Sequence, residues 1–289
     1  MRKEGLDMDI WAEDLPPDHA TILSRVRDCD GILSLLTDTI DAEVMDAAGP
    51  SLKVVSNLAV GYNNIDVGEA FRRGIAVGHT PDVLTEATAD LALALLLSAA
   101  RRLGEAQAFV KEGQWRTWDP LGHIGVDLSG KTLGIYGMGR IGAALARRCV
   151  GGWGMDVVYC ARTPKPEIAP ENARQVEFGT LLEVSDFISV HTPLTPDTKA
   201  KFNMDAFSRM KPTAVFVNTA RGGIHDQADL YDALANNEIF AAGLDVTDPE
   251  PMSVDDPLLS LSNCLVVPHI GSGTIASREA MATIAARNA

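Results

Sequence analysis

The chain has 289 residues, 46% of them hydrophobic and 22% charged, which suits two ordinary domains or one large one and excludes a disordered chain. Its formal net charge of −14 argues against binding to nucleic acid or to anionic membrane surfaces, since both would repel it. Cys29, Cys149, Cys160 and Cys264 are scattered and form no C-x-x-C pair, so free thiols in a reducing, cytoplasmic setting are expected.

The opening stretch MRKEGLDMDIW has no apolar signal core. From Val26 to Ala89 short strands alternate with helical stretches, as in a parallel sheet with crossover helices. DGILSLL (30–36) and LKVVSNL (52–58) read as buried parallel strands, with a short helix over 41–48 between them and a third strand in GIAVGHT (74–80). A long helix is expected from about Thr85 to Glu112, capped by Thr85, with Glu86 and Asp90 in its positive first turns. Between Ala87 and Ala100 it is apolar on most faces, which suits either a core helix or one shared between domains or subunits. Its run LALALLLSAA (91–100) is too short to span a bilayer, which takes about 20 apolar residues.

A second alternating series begins at Lys131: strands in TLGIY (132–136), DVVYCA (156–161), DFISVHT (186–192), TAVFVNT (213–219), FAAGLDV (240–246) and CLVVPH (264–269). This is the pattern of a doubly wound α/β domain. The Pro-rich TPKPEIAP (163–170) reads as a surface loop.

Directly after TLGIY, the run GMGRIG (137–142) opens a helix. Gly137, Gly139 and Gly142 allow a tight turn, close backbone approach to a pyrophosphate and close helix packing. With Met138, Arg140 and Ile141 they form the candidate cofactor loop. Spacing would nominate Asp156 as the acid that grips a ribose, but Asp156 starts its strand and the ribose belongs at the far end. There Arg162 stands, with Thr163 and Lys165 nearby. A guanidinium in that place pairs with a 2′-phosphate, so the expected cofactor is NADP(H), with NAD(H) the alternative.

Three polar residues follow three strands of the same series: Arg221, Glu250 and His269. Parallel strands deliver them to one edge. Arg221 can bind a carboxylate in bidentate fashion, His269 can carry a proton near neutral pH, and Glu250 can orient the imidazole. Beside a nicotinamide these parts interconvert 2-oxo and 2-hydroxy acids. Singly, each is more often an ordinary surface or turn residue. The other histidines, His19, His79, His123, His191 and His225, show no such partnership. His191 opens a loop read as cofactor-facing, with Thr192, Pro193 and Thr198. No metal-ligand spacing and no hydrolase elbow is present.

The stretches SNLAVGYNNID (56–66), TPDVLTEATADLALALLLSAARR (80–102), GKTLGIYGMGRIG (130–142), HTPLTPDT (191–198), NTARGG (218–223), AGLDV (242–246), DPEP (248–251) and PHIGS (268–272) resemble the D-isomer-specific 2-hydroxyacid dehydrogenases, most of all the glyoxylate and hydroxypyruvate reductases. The resemblance implies two Rossmann-like α/β domains: a flavodoxin-like substrate domain from 1–79 plus 274–289, and a doubly wound dinucleotide-binding domain over 80–273. It also implies that Arg221, Glu250 and His269 are the catalytic trio, that the amides of Val60 and Gly61 hold the substrate carboxylate, and that Thr88 and Asp245 lie near the nicotinamide. Thr219, Ala220 and Gly271 join the cofactor set on the same ground. A homodimer built on the long helix is implied, with Trp118 in a region that can approach a neighbour's active site. The family's usual first strand and helix are not visible before Met8, and the chain stops at Asn288-Ala289 inside what resembles a penultimate helix, so an incomplete substrate domain is expected. Asn57, Leu58 and Ala59 offer no charge for a phosphate, which narrows the substrate to a small unphosphorylated 2-oxo acid. The alternatives are another 2-hydroxy acid, or a non-catalytic, nucleotide-sensing relative of the corepressors that share this fold.

Overall fold

The structure is a computed structural model that describes residues 5–289; the first four residues of the MRKEGLDMDIW stretch lie outside it. Its contacts divide the chain into two units, Met1–Leu84 with Gly273–Ala289, and Thr85–Ser272. The sequence reading drew its boundaries at 79/80 and 273/274.

The first unit opens with α1 (His19–Arg25), which the sequence reading missed although Asp18 caps it by accepting the Thr21 N–H at 2.8 Å. Three parallel strands follow, β1 (Gly31–Ser34), β2 (Val54–Asn57) and β3 (Ala76–Gly78), in that spatial order. Between them lie α2 (Ala42–Ala48) and α3 (Val67–Arg72), each capped by an aspartate, Asp41 and Asp66. Ile40, Val44, Met45, Val55 and Ile65 form the core of this unit. β2 is buried as expected, but β1 is not: it is an edge strand, and Leu33 and Leu35 are exposed.

The second unit begins with α4 (Thr85–Ala100), then α5 (Leu103–Lys111). The expected single helix is therefore broken. Arg102 takes a left-handed backbone, φ 53°, and its guanidinium reaches Glu105 at 2.7 and 2.9 Å. The cause lies far along the chain: the Val126 N–H takes the Ala100 carbonyl at 2.9 Å, an acceptor that a continuing helix needs for residue 104.

The strands β4 (Thr132–Tyr136), β5 (Asp156–Cys160), β6 (Arg174–Gln175), β7 (Phe187–Val190), β8 (Val215–Asn218), β9 (Ala241–Leu244) and β10 (Cys264–Val266) form one parallel sheet in the order β10-β9-β8-β7-β4-β5-β6. Winding runs outward in both directions from β4 and β7, so the switch point lies between them. β7, β8 and β9 are buried along their whole length, which is why they read as continuous apolar runs. The helices α6 (Arg140–Trp153), α7 (Phe178–Val184), α8 (Met204–Ser208) and α9 (Gln227–Ala235) connect them. α4 packs on α6 and on the sheet; a Cβ on Gly243 of β9 would stand 3.0 Å from Leu95, so the glycine lets the helix sit close. Arg148 ties α6 to α4 through Glu86 and Asp90, each at 2.7 Å. The segment 163–170 is irregular, as expected, although Ile168 and Ala169 turn inward onto the core.

The last helix, α10 (Ile275–Asn288), returns to the first unit, where the Ser56 hydroxyl donates to the Ala285 carbonyl at 2.8 Å. Among the described residues no helix is long and apolar enough to cross a membrane.

Candidate active site

β4 is followed by Gly137, whose φ of 101° is closed to most side chains. A Cβ there would also lie 2.6 Å from the His191 carbonyl, so the turn is wedged against the loop after β7. Gly142 faces a similar limit, 2.6 Å from the Gly137 carbonyl. Gly139 is different: its φ is −89° and a Cβ would meet nothing within 4 Å. The space in front of Gly139 is open to a ligand, and as N-cap of α6 it provides no side chain to satisfy the first-turn N–H groups. Met138 is buried and Ile141 packs on the core, so both can serve a ligand only through backbone; Arg140 is exposed.

Asp156 starts β5, at the end of the sheet away from this turn. Arg162 lies two residues past the end of β5, exposed, beside exposed Thr163. The loop behind them is anchored: the Lys165 N–H donates to the Tyr159 hydroxyl at 3.1 Å and the Gln175 amide to the Ala161 carbonyl at 2.7 Å.

β8, β9 and β10 are neighbours, and their carboxyl ends bring Arg221, Glu250 and His269 together. The His269 Nδ1 stands 2.5 Å from Glu250 Oε1. That bond leaves Nε2 as the ring atom available for chemistry. The Arg221 Nη1 donates to the Ala220 carbonyl at 2.7 Å. Burial pulls the guanidinium's pKa down, and the charge of Glu250 opposes it. The peptide bonds Asp248–Pro249 and Glu250–Pro251 are cis.

His269 itself has a left-handed backbone, φ 50°. Asp245 holds it there: its carbonyl accepts the His269 N–H at 3.0 Å, and its carboxylate accepts the N–H groups of Ile270 and Gly271 at 2.6 and 2.8 Å. Burial raises the Asp245 carboxyl, while those amides and His269 draw it back. A Cβ on Gly271 would lie 2.9 Å from Asp245 Oδ2 and 3.3 Å from Thr88 Cγ2. Thr88, Asp245 and Gly271, known only through the resemblance, thus form one buried cluster behind His269.

The loop after β7 is self-bonded. Thr198 Oγ1 donates to the Pro193 carbonyl at 2.8 Å and accepts the Thr195 N–H at 2.8 Å, so its hydroxyl is already engaged. Thr192 is half-buried and Pro193 exposed. His191 Nε2 meets Ser189 Oγ at 2.8 Å, and burial pushes its pKa down to about 3, so this imidazole stays neutral and is a poor proton donor. Thr219 is buried with its hydroxyl lacking a partner among the described residues, and Ala220 is half-buried.

In the first unit, Val60 and Gly61 sit in the turn after β2. Their carbonyls are taken by His79 Nδ1 at 2.9 Å and by the Asn57 amide at 2.8 Å, which leaves the N–H groups as the available polar atoms. Sequence reasoning passed over His79; its only signal was its place after β3. Asn57 and Ala59 are buried and Leu58 half-buried. A cleft of about 390 Å³ in the second unit, lined by Arg102, Glu105, His123 and Asn263, opens near the start of β10, at the opposite end of the sheet from the trio.

A parallel sheet with a glycine turn at its switch point and an acid–histidine–arginine group at the same edge defines a nucleotide-dependent oxidoreductase of the two-domain Rossmann type. Residues 93–271 match the family model "D-isomer specific 2-hydroxyacid dehydrogenase, NAD binding domain". The glyoxylate reductase of Korarchaeum cryptofilum is 49% identical over 288 residues, covering 99% of this chain and 86% of that protein. The crystal structure of the TT0316 protein from Thermus thermophilus superposes with a TM-score of 0.91 at 46% identity, over 98% of this chain and 89% of that one. The NADPH-dependent glyoxylate/hydroxypyruvate reductase of Sinorhizobium meliloti, solved with NADP and malonate, matches with a TM-score of 0.82 at 37% identity, over 93% of this chain and 82% of that one. The chain belongs to the D-isomer-specific 2-hydroxyacid dehydrogenase family.

Proposed function

We propose that the chain is an NADPH-dependent reductase of a small unphosphorylated 2-oxo acid, glyoxylate or hydroxypyruvate, and yields the 2-hydroxy acid. The observation that carries this reading is the 2.5 Å pair of Glu250 and His269, with Arg221 on the neighbouring strand end. A bound reduced nicotinamide supplies the hydride. His269 gives a proton from Nε2 to the carbonyl oxygen, while Glu250 fixes the ring. Arg221 binds the carboxylate and polarises the carbonyl. Val60 and Gly61 are assigned to the same carboxylate through their N–H groups. The uncharged Asn57-Leu58-Ala59 supports an unphosphorylated acid.

The nucleotide is assigned to the turn Gly137–Gly142, to Thr88, Thr219, Ala220, Asp245 and Gly271, and to Pro193 and Thr198. The open space at Gly139 and the uncapped start of α6 suit a pyrophosphate. Exposed Arg162, with Thr163, suits a 2′-phosphate, and the NADPH dependence of the similar Sinorhizobium enzyme supports NADP over NAD. A homodimer fits the exposed apolar side chains Leu103, Val110, Trp115, Trp118, Leu121 and Ile124, which follow α4 in sequence.

The test is loss of reduced-nicotinamide absorbance, with glyoxylate and hydroxypyruvate each offered NADPH and NADH. Strong consumption with NADPH and weak with NADH is expected. Equal or stronger use of NADH would discard the Arg162 argument, and no consumption with any pair would discard the reductase.

A further inference from the structure

The loop that carries Arg221 is held by a buried pair of side chains that the proposed reaction does not use. Asn218, the last residue of β8, is fully buried. Its Oδ1 accepts the Ala220 N–H at 2.9 Å, which fixes the end of the amide that is nitrogen. Its Nδ2 then serves two acceptors, the Arg221 carbonyl at 2.9 Å and His225 Nδ1 at 3.0 Å. An amide NH2 only donates here, so Nδ1 must accept, and the imidazole is neutral with its proton on Nε2. His225 is 3% exposed, and its Nε2 has no partner among the described residues. A buried N–H without a partner is costly, so the side chain is held in this tautomer by its other nitrogen.

The backbone reinforces the same turn. The Ile224 N–H donates to the Arg221 carbonyl at 3.2 Å and the His225 N–H to the Gly222 carbonyl at 3.1 Å. A Cβ on Gly222 would fall 1.9 Å from the Thr247 carbonyl, so the turn is pressed against the segment that leads from β9 to Glu250. The orientation of Asn218 therefore governs where the Arg221 backbone sits, and His225 governs the orientation of Asn218.

We infer that His225 is a positioning residue for Arg221, its neutral Nδ1 holding the Asn218 amide so that the other amide N–H fixes the Arg221 carbonyl. The inference rests on the reductase reading above. It is tested with wild type, His225→Leu and His225→Asn. Leucine removes the acceptor, whereas the Oδ1 of asparagine can stand where Nδ1 stood. Steady-state constants are taken well below each protein's melting temperature. In His225→Leu the KM for the 2-oxo acid is expected to rise about tenfold or more, because a carboxylate clamp displaced by a fraction of an ångström loses its geometry. The KM for NADPH should stay put, and His225→Asn should restore most of the loss. An unchanged KM in His225→Leu, or equal damage in both variants, would overturn the role.

The 15N shifts of the His225 ring in the unaltered enzyme give an independent reading. A proton on Nε2 with Nδ1 free is expected; a proton on Nδ1 near neutral pH overturns the clamp whether or not the variants fold. Failure of the wild type to consume NADPH with any 2-oxo acid sinks the reductase reading and the positioning role with it. The wrong tautomer in an active enzyme sinks the positioning role alone.

Discussion

At the scale of single residues, the 2.5 Å bond between Glu250 and His269 separates two tasks. In the proposed reaction the histidine moves the proton, and the glutamate keeps the ring turned with Nε2 available. Replacing His269 by alanine should lower kcat by about 10²- to 10⁴-fold, the usual worth of general acid–base help, with nucleotide affinity unchanged by fluorescence titration. In the proposed reading Arg162 serves the nucleotide. Arg162→Ala should raise the KM for NADPH about tenfold or more, as loss of a charge-assisted bond to a phosphate would, and leave the KM for NADH unaltered. A parallel rise for both nucleotides would mean that Arg162 does not discriminate between them.

At the scale of elements, the glycine turn offers a comparison within six residues. Gly137→Ala meets both a φ of 101° and the His191 carbonyl, so it should destabilise the fold by about 1–3 kcal/mol and lower the melting temperature. Gly139→Ala meets nothing, so its melting temperature should match the wild type while nucleotide binding weakens. Equal affinity in Gly139→Ala would mean that no ligand backbone or phosphate comes close there. These positions were legible in the sequence because a buried parallel strand is a continuous apolar run, and the residues just past such a run fall at the carboxyl edge of the sheet. Arg221, Glu250 and His269 were found by that logic. The break between α4 and α5 was not, because residues 85–112 carry good helix formers and the competitor for the Ala100 carbonyl is Val126. Nor was the pairing of Asn218 with His225, since a histidine in a loop gives no sign of whether its ring is buried or of what it faces. The cap at Asp18 was readable and was overlooked, because only about two turns of helix come after it.

For the whole molecule, buried His225 and half-buried His191 set a response to acid. Burial pushes His191 down to about 3 and His225 down to about 4. In the unfolded chain both take up protons near the ordinary value, about 6.5. Between those limits the unfolded state binds more protons, so their contribution is complete above about pH 6.5 and is lost as the pH falls, at up to about 1.4 kcal/mol per unit for each ring. Asp245, whose carboxyl is raised by burial, acts in the opposite sense, so the comparison is best made as a difference. The melting temperature of the wild type should fall from pH 6.5 to pH 4 more steeply than that of His225→Asn. Equal slopes would mean that His225 is charged or exposed in the folded protein.

The second unit is one uninterrupted run, Thr85–Ser272, whereas the first draws on both sides of it. The edge of β3 has no room for a Cβ at Gly78 because Asn288 fills that space, and Ser56 waits for the carbonyl of Ala285. On the ribosome, where domains usually fold in the order in which they emerge, this order is inverted. The middle of the chain can finish folding while the strands that precede it still lack the helix that closes them, and those strands, although translated earlier, are among the last to reach their final contacts. A nascent chain arrested once residue 272 has cleared the exit tunnel should already protect residues 85–272 from brief proteolysis and leave the first 84 open to cleavage.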